Sequence, residues 1–114
     1  MDAKARLMYT MIGPRKMRQL ADELRCKTVD EAFFFLTALR NRKKAVEPLE
    51  KTLKSAVANF SVVNPQVDTE KLYIKQILVD KGPQHKRIRA RAQGRAYRRL
   101  KRTSHLLIVI SDQK

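Results

Sequence analysis

The chain has a single cysteine, Cys26, among its 114 residues. A lone cysteine excludes an internal disulfide framework and fits a reducing compartment. There are only two histidines, His85 and His105, far apart in sequence and far from Cys26. No pair has zinc-ligand spacing, so we expect no metal. Tryptophan is absent, and three glycines and four prolines are too few for a low-complexity or wholly disordered chain. No apolar run approaches a membrane span; the longest goes from Leu106 to Ile110. The first ten residues hold Asp2, Lys4 and Arg6 without a long apolar stretch, so we expect no secretory signal and a cytoplasmic protein. The acids include neighbour pairs, Asp22-Glu23 and Asp30-Glu31. Adjacent helical residues point apart, so neither pair builds a carboxylate dyad. No glycine-rich phosphate loop is present. We therefore expect no enzyme and no cofactor.

What the chain has in excess is positive charge. It carries 26 basic residues against 11 acids, a net +15. Ten of the 26 lie between Lys81 and Arg102, a stretch with no acid at all. They are Lys81, Lys86, Arg87, Arg89, Arg91, Arg95, Arg98, Arg99, Lys101 and Arg102. Such a segment repels itself and cannot bury its charges in a core of its own. It calls for a polyanion, and a phosphate backbone is the obvious one. Surface charge runs normally mix signs; this one does not. Arginine outnumbers lysine seven to three here. The guanidinium fork bridges phosphate oxygens and stacks on bases, which fits structured contact with RNA.

The remainder reads as one modest domain. Residues 3 to 10 alternate, with Ala3, Ala5, Leu7 and Tyr9 on one side and Lys4, Arg6, Met8 and Thr10 on the other, the pattern of a half-buried strand. Gly13-Pro14 starts a helix with Met17, Leu20, Ala21 and Leu24 at helical spacing. Thr28 to Glu31 reads as a capping box, followed by a stripe of Ala32, Phe33, Phe35, Leu36 and Leu39. A third helix is expected from about Lys44 to Val63, with Leu49, Thr52, Leu53, Ala56, Val57 and Phe60 inward. Pro48 must then lie in its first turn or kink it. Leu72 to Val79 and Ser104 to Ser111 read as strands.

The basic stretch lies between these last two strands and admits two readings. Arg87, Arg91, Arg95, Arg98 and Arg102 have helical spacing. Arg87, Arg89 and Arg91 also alternate with Ile88, Ala90 and Ala92, as in an extended arm. Gln93-Gly94 is then a turn and Arg95 to Lys101 the returning arm. The flanking strands, Gly82-Pro83 and Gly94 favour this hairpin, with arms of about ten residues spanning about 30 Å. Tyr97, the one aromatic of the stretch, either stacks on a base or packs across the ribbon on Ile88 or Leu100. Further candidate RNA contacts are Lys4, Arg6, Arg15, Lys16 and Arg18, and a third cluster of Arg40, Arg42, Lys43 and Lys44.

Specific strings can now be compared with known families. Val79-Asp80-Lys81-Gly82-Pro83, Lys86-Arg87-Ile88, Arg91-Ala92-Gln93-Gly94-Arg95-Ala96 and Leu100-Lys101-Arg102-Thr103-Ser104-His105 closely resemble the bacterial large-subunit ribosomal protein family numbered twenty-two. Pro14-Arg15-Lys16-Met17-Arg18 resembles the family's first helix, and Leu53-Lys54-Ser55-Ala56-Val57-Ala58-Asn59 its third. The resemblance implies an α+β fold: three helices on a small three-stranded antiparallel sheet, with a long protruding β-hairpin. It implies a single domain over 1–114, with a globular body of 1–81 and 103–114 and the hairpin at 82–102. It further implies binding to large-subunit ribosomal RNA, support of subunit assembly and contacts with neighbouring ribosomal proteins. The RNA contacts would fall on Lys4, Arg6, Arg15, Lys16, Arg18, Lys86, Arg87, Arg89, Arg91, Arg95, Tyr97, Arg98, Arg99, Lys101 and Arg102. The tip, Ala90, Arg91, Ala92, Gln93, Gly94 and Arg95, would line the nascent-peptide tunnel and meet the peptide. No DNA and no membrane partner is expected; without the resemblance, the rival class would be a DNA-binding architectural protein.

Four positions depart from the family pattern. Cys26 stands where a glycine commonly ends the first helix, so a left-handed cap there is strained or replaced. Lys81 stands where an acid is frequent, Ala90 where a proline is common, and Tyr97 where an acid is common.

Overall fold

A computed structural model describes residues 2–112. The elements run β1 (Asp2–Thr10), α1 (Pro14–Leu24), α2 (Val29–Leu39), α3 (Val46–Val63), a 3-10 turn at Thr69–Lys71, β2 (Tyr73–Lys81), β3 (His85–Ala90), a second 3-10 turn at Ala92–Gly94, β4 (Ala96–Lys101) and β5 (Ser104–Ser111). The fold is α+β, with two antiparallel sheets ordered β1-β5-β2 and β3-β4.

The larger sheet buries one face in three cross-strand rows: Ala3, Ile110 and Ile74; Ala5, Ile108 and Ile77; Leu7, Leu106 and Val79. Ile74 and Ile77 are three residues apart, a spacing that simple alternation would split between faces. A register shift between Ile74 and Gln76 brings both inward. Against these rows pack Met17, Leu20, Ala21 and Leu24 of α1, and Leu49, Leu53, Ala56 and Phe60 of α3. The opposite face, with Lys4, Arg6, Leu107 and Val109, lacks a helical cover and is partly or fully exposed.

Local chemistry accounts for the helix ends. Pro14 occupies the first turn of α1, after Gly13. In α2 the Thr28 hydroxyl accepts from the Glu31 N–H, and the Glu31 carboxylate accepts from the Thr28 N–H. Pro48 falls within the first turn of α3, where a missing donor does no harm. That helix begins at Val46, not Lys44, because residues 41–45 form turns.

Two sequence expectations are corrected. Tyr9 is not inward: the β1–β5 register shifts between Leu7 and Thr10, Tyr9 takes φ 58°, and its ring is exposed. It meets the His105 ring edge-on at 4.9 Å, and its N–H donates to His105 Nδ1 at 3.0 Å. The hairpin arms are six residues each, not ten, because residues 82–84 and 102–103 form a root that lies outside both strand ladders.

The ribbon projects. The chain measures 65 × 25 × 18 Å and has a radius of gyration of 17.0 Å. A compact chain of this length would have about 13 Å. Every residue of β3 and β4 is exposed.

Candidate nucleic-acid interface

The ribbon is aimed at its root. The Gly82 N–H donates to the Thr103 carbonyl at 2.9 Å, and the Thr103 hydroxyl donates to the Pro83 carbonyl. The Ser104 hydroxyl donates to the Ile12 carbonyl at 2.8 Å. Thr103 and Ser104 are fully buried. A Cβ on residue 82 would fall 2.5 Å from the Thr103 hydroxyl and 3.2 Å from its carbonyl, so only glycine allows this approach. The sequence marks Gly82 as a breaker; in the structure it lets two strands touch.

Beside the root lies an open groove of about 860 Å³. Its cations come from distant parts of the chain: Arg15, Lys16 and Arg18 of α1, Lys44 before α3, Lys81 of β2, and Arg99, Lys101 and Arg102. No acid lines it. Arg15 and Lys16 sit in the first turn of α1, which has no acid and no side-chain cap. Cations are unfavourable at the positive end of a helix dipole, so their placement does not serve the helix. Together with the positive end of that helix they concentrate positive potential beside the root.

Arg18 also has a role in the fold. Its Nε and Nη2 donate to the Val79 carbonyl at 3.3 and 3.0 Å, and one turn-pair further on Arg25 Nη2 donates to the Ile77 carbonyl at 3.2 Å. β2 is an edge strand, and these arginines satisfy carbonyls that would otherwise face outward. Lys4 and Arg6 do not reach the groove; they stand on the uncovered sheet face. Lys44, from the third candidate cluster, and Lys81, from the acid-free stretch, line it as well. Each belonged to a cationic cluster in the sequence, but only the folded chain brings the two clusters together.

In the third cluster, Arg40 is committed. Its Nη2 donates to Glu50 Oε1 and Oε2 at 2.9 and 3.0 Å, and Lys54 Nζ lies 3.2 Å from Oε1. Burial raises the pKa of Glu50, but the hydrogen bonds from Arg40 and Lys54 outweigh it and hold the carboxyl below its ordinary value. No spacing signal marks this buried acid, since Glu50 lies at an ordinary helical position next to Leu49.

On the ribbon, Arg89 stands directly opposite Tyr97, and Arg87 opposite Arg99. Ile88 and Leu100 fall on the other face, so Tyr97 does not pack on either of them. Tyr97 remains half-exposed and lines a shallow hollow at the tip with Arg91, Ala92, Gln93 and Arg95. The tip itself turns through two consecutive left-handed residues, Gln93 (φ 64°) and Gly94 (φ 69°), closed by the Arg91 N–H donating to the Arg95 carbonyl at 2.7 Å.

A small α+β body holding out an acid-free cationic ribbon has the build of a structural protein that works by contact. Comparison with known proteins gives the family. Residues 5–111 match the family described as Ribosomal protein L22p/L17e, and the chain belongs to it. It is 52% identical to large ribosomal subunit protein uL22 of Mycoplasma capricolum, with both chains covered in full. It is 48% identical to the protein of that name in Mesoplasma florum, across all of this chain and 99% of the other. With the Desulfitobacterium hafniense protein the identity is 46%, over 98% of this chain and 96% of the relative. The chain is thus a structural, non-enzymatic ribosomal protein of the cytoplasm.

Proposed function

We propose that this chain is a constituent of the large ribosomal subunit that binds large-subunit RNA through phosphate contacts and supports subunit assembly. The observation that carries the reading is the groove at the ribbon root, where eight cations from four separate segments converge without an acid. The relatives' shared name, large ribosomal subunit protein, supports the choice of partner. In this reading the body, residues 1–81 and 103–114, docks on RNA with Arg15, Lys16 and Arg18 beside the root. The hairpin, 82–102, runs inward along RNA with Lys86, Arg87, Arg89, Arg98, Arg99, Lys101 and Arg102 on phosphates. Its tip, Ala90 to Arg95, reaches the nascent-peptide tunnel and meets the peptide there. Neighbouring ribosomal proteins complete its surroundings.

The test is binding of the full chain to a bacterial large-subunit RNA transcript over a range of salt. A protein that neutralises several phosphates gives a steep log–log slope, about −0.7 to −0.9 per phosphate contacted. A flat salt dependence would sink the electrostatic account. Recovery of the protein with the nucleoid, not with ribosomal particles, after sedimentation of a lysate would overturn the choice of RNA.

A further inference from the structure

The two faces of the projecting ribbon differ chemically, and the difference is set by the β3–β4 register. One face carries Arg87 opposite Arg99 and Arg89 opposite Tyr97. The other carries Ile88 opposite Arg98 and Lys86 opposite Leu100, with Ala90 opposite Ala96 near the tip. We propose that the ribbon is held between two different kinds of RNA surface: a phosphate seated between Arg87 and Arg99 on one face, and the base or ribose of a second segment lying on Ile88 on the other. The inference rests on the RNA-binding reading above and assigns it to particular side chains.

The first half follows from repulsion. Like charges directly opposite each other destabilise an antiparallel pair. Arg87 and Arg99 form such a pair at the middle of a ribbon that contains no acid to separate them. A two-stranded ribbon has little stability with which to absorb this. A phosphate oxygen pair between two guanidinium groups turns the repulsion into two charge-assisted contacts. The position therefore selects for a bound anion.

The second half follows from exposure. Ile88 is 78% exposed and Leu100 41%, on a segment otherwise dense in charge. Ala90 and Ala96 leave the face low toward the tip, so a partner surface can approach the backbone closely. The cations on this face are Lys86 and Arg98, Arg98 directly beside Ile88, again without an acid. An apolar centre flanked by two cations matches a nucleotide: its ring or sugar covers the isoleucine and its phosphates meet the cations. An apolar protein patch would leave both cations desolvated without partners.

The faces should then respond differently to salt. Full-length variants are titrated with the large-subunit RNA transcript at several salt concentrations. Arg87→Gln with Arg99→Gln should reduce the magnitude of the log–log slope by about 0.7 to 0.9, the value for one phosphate contact. Ile88→Thr, which keeps the β-branched shape, should weaken binding about three- to tenfold at every salt concentration and leave the slope unchanged. Ile88→Val should bind nearly as the parent, which separates loss of apolar contact from damage to the strand. If Ile88→Thr binds like the parent, as it would if this face met a protein instead, the assignment is wrong. It is equally wrong if the isoleucine and arginine variants flatten the slope alike. A parent chain with no steep salt dependence would defeat the RNA-binding reading itself, and this inference with it.

Discussion

At the scale of single residues, two positions show tertiary demands overriding local preference. Cys26 holds φ 63° in the turn from Leu24 to Lys27, where Arg25 is extended and the Lys27 N–H points to the Leu24 carbonyl. That is the third position of a type II turn, which favours glycine. The left-handed conformation is therefore retained and strained, not replaced. It costs a non-glycine residue about 1–2 kcal/mol, part of which a glycine loses again in unfolded-chain entropy. Cys26→Gly should thus stabilise the protein by about 0.5–1 kcal/mol and raise the melting temperature by roughly 2–5 °C. Glu50 makes the converse point. Its folded pKa lies below its ordinary 4.5, so its pairing stabilises the fold above that value and is lost as pH falls through the folded pKa. Glu50→Gln should cost about 1–2 kcal/mol at neutral pH, discounted because Arg40 and Lys54 are largely exposed. Denaturant titrations of parent and variant should draw together as pH falls below 4.5; a gap that stays constant into acid would show that the charge is irrelevant.

At the scale of elements, the contrast is between strands that share a core and strands that do not. β5 lies between β1 and β2 and buries Leu106, Ile108 and Ile110 completely. β3 and β4 pair only with each other and bury nothing. Their backbone hydrogen bonds face water, and their side chains repel. Amide hydrogen exchange in the free protein should find the ribbon opening at close to zero free energy, while β5 amides exchange only through global unfolding. Adding the large-subunit RNA should protect the ribbon amides. Protection of β3 and β4 equal to that of β5 in the free chain would mean that the ribbon is supported by something other than a partner.

At the scale of the whole molecule, stability and charge are segregated. The apolar clusters sit at one end of a 65 Å particle, and the acid-free ribbon forms the other. Deleting Ala90 to Tyr97 removes only Arg91 and Arg95 of the ten cations between Lys81 and Arg102. The body should melt unchanged, and the variant should still enter large-subunit particles; if the tip lines the tunnel as proposed, its loss should change sensitivity to tunnel-binding macrolides. Replacing the arm arginines with alanine should instead reduce incorporation. The opposite pattern, incorporation lost with the tip and kept without the arm arginines, would refute this division of roles.

Much of the fold was legible in the chain itself because its signals are local. The stripe of α1 at Met17, Leu20, Ala21 and Leu24, the Thr28 capping box and the limits of β5 depend on residues a few positions apart, and each is found where periodicity places it. The acid-free stretch announced a polyanion partner for the same reason. Spacing alone left the helical and hairpin readings of that stretch open; pairing with a second strand decided between them. Nor could spacing show that Tyr9 turns outward, that Ile74 and Ile77 share a face across a bulge, or that Arg18 and Arg25 satisfy the edge of β2. The same holds for the groove, which joins Lys44 to Lys81 and Arg15 to Arg102. Charge and periodicity are properties of neighbours along the chain. A register shift, an edge carbonyl or a convergence of cations exists only once distant segments are packed against one another.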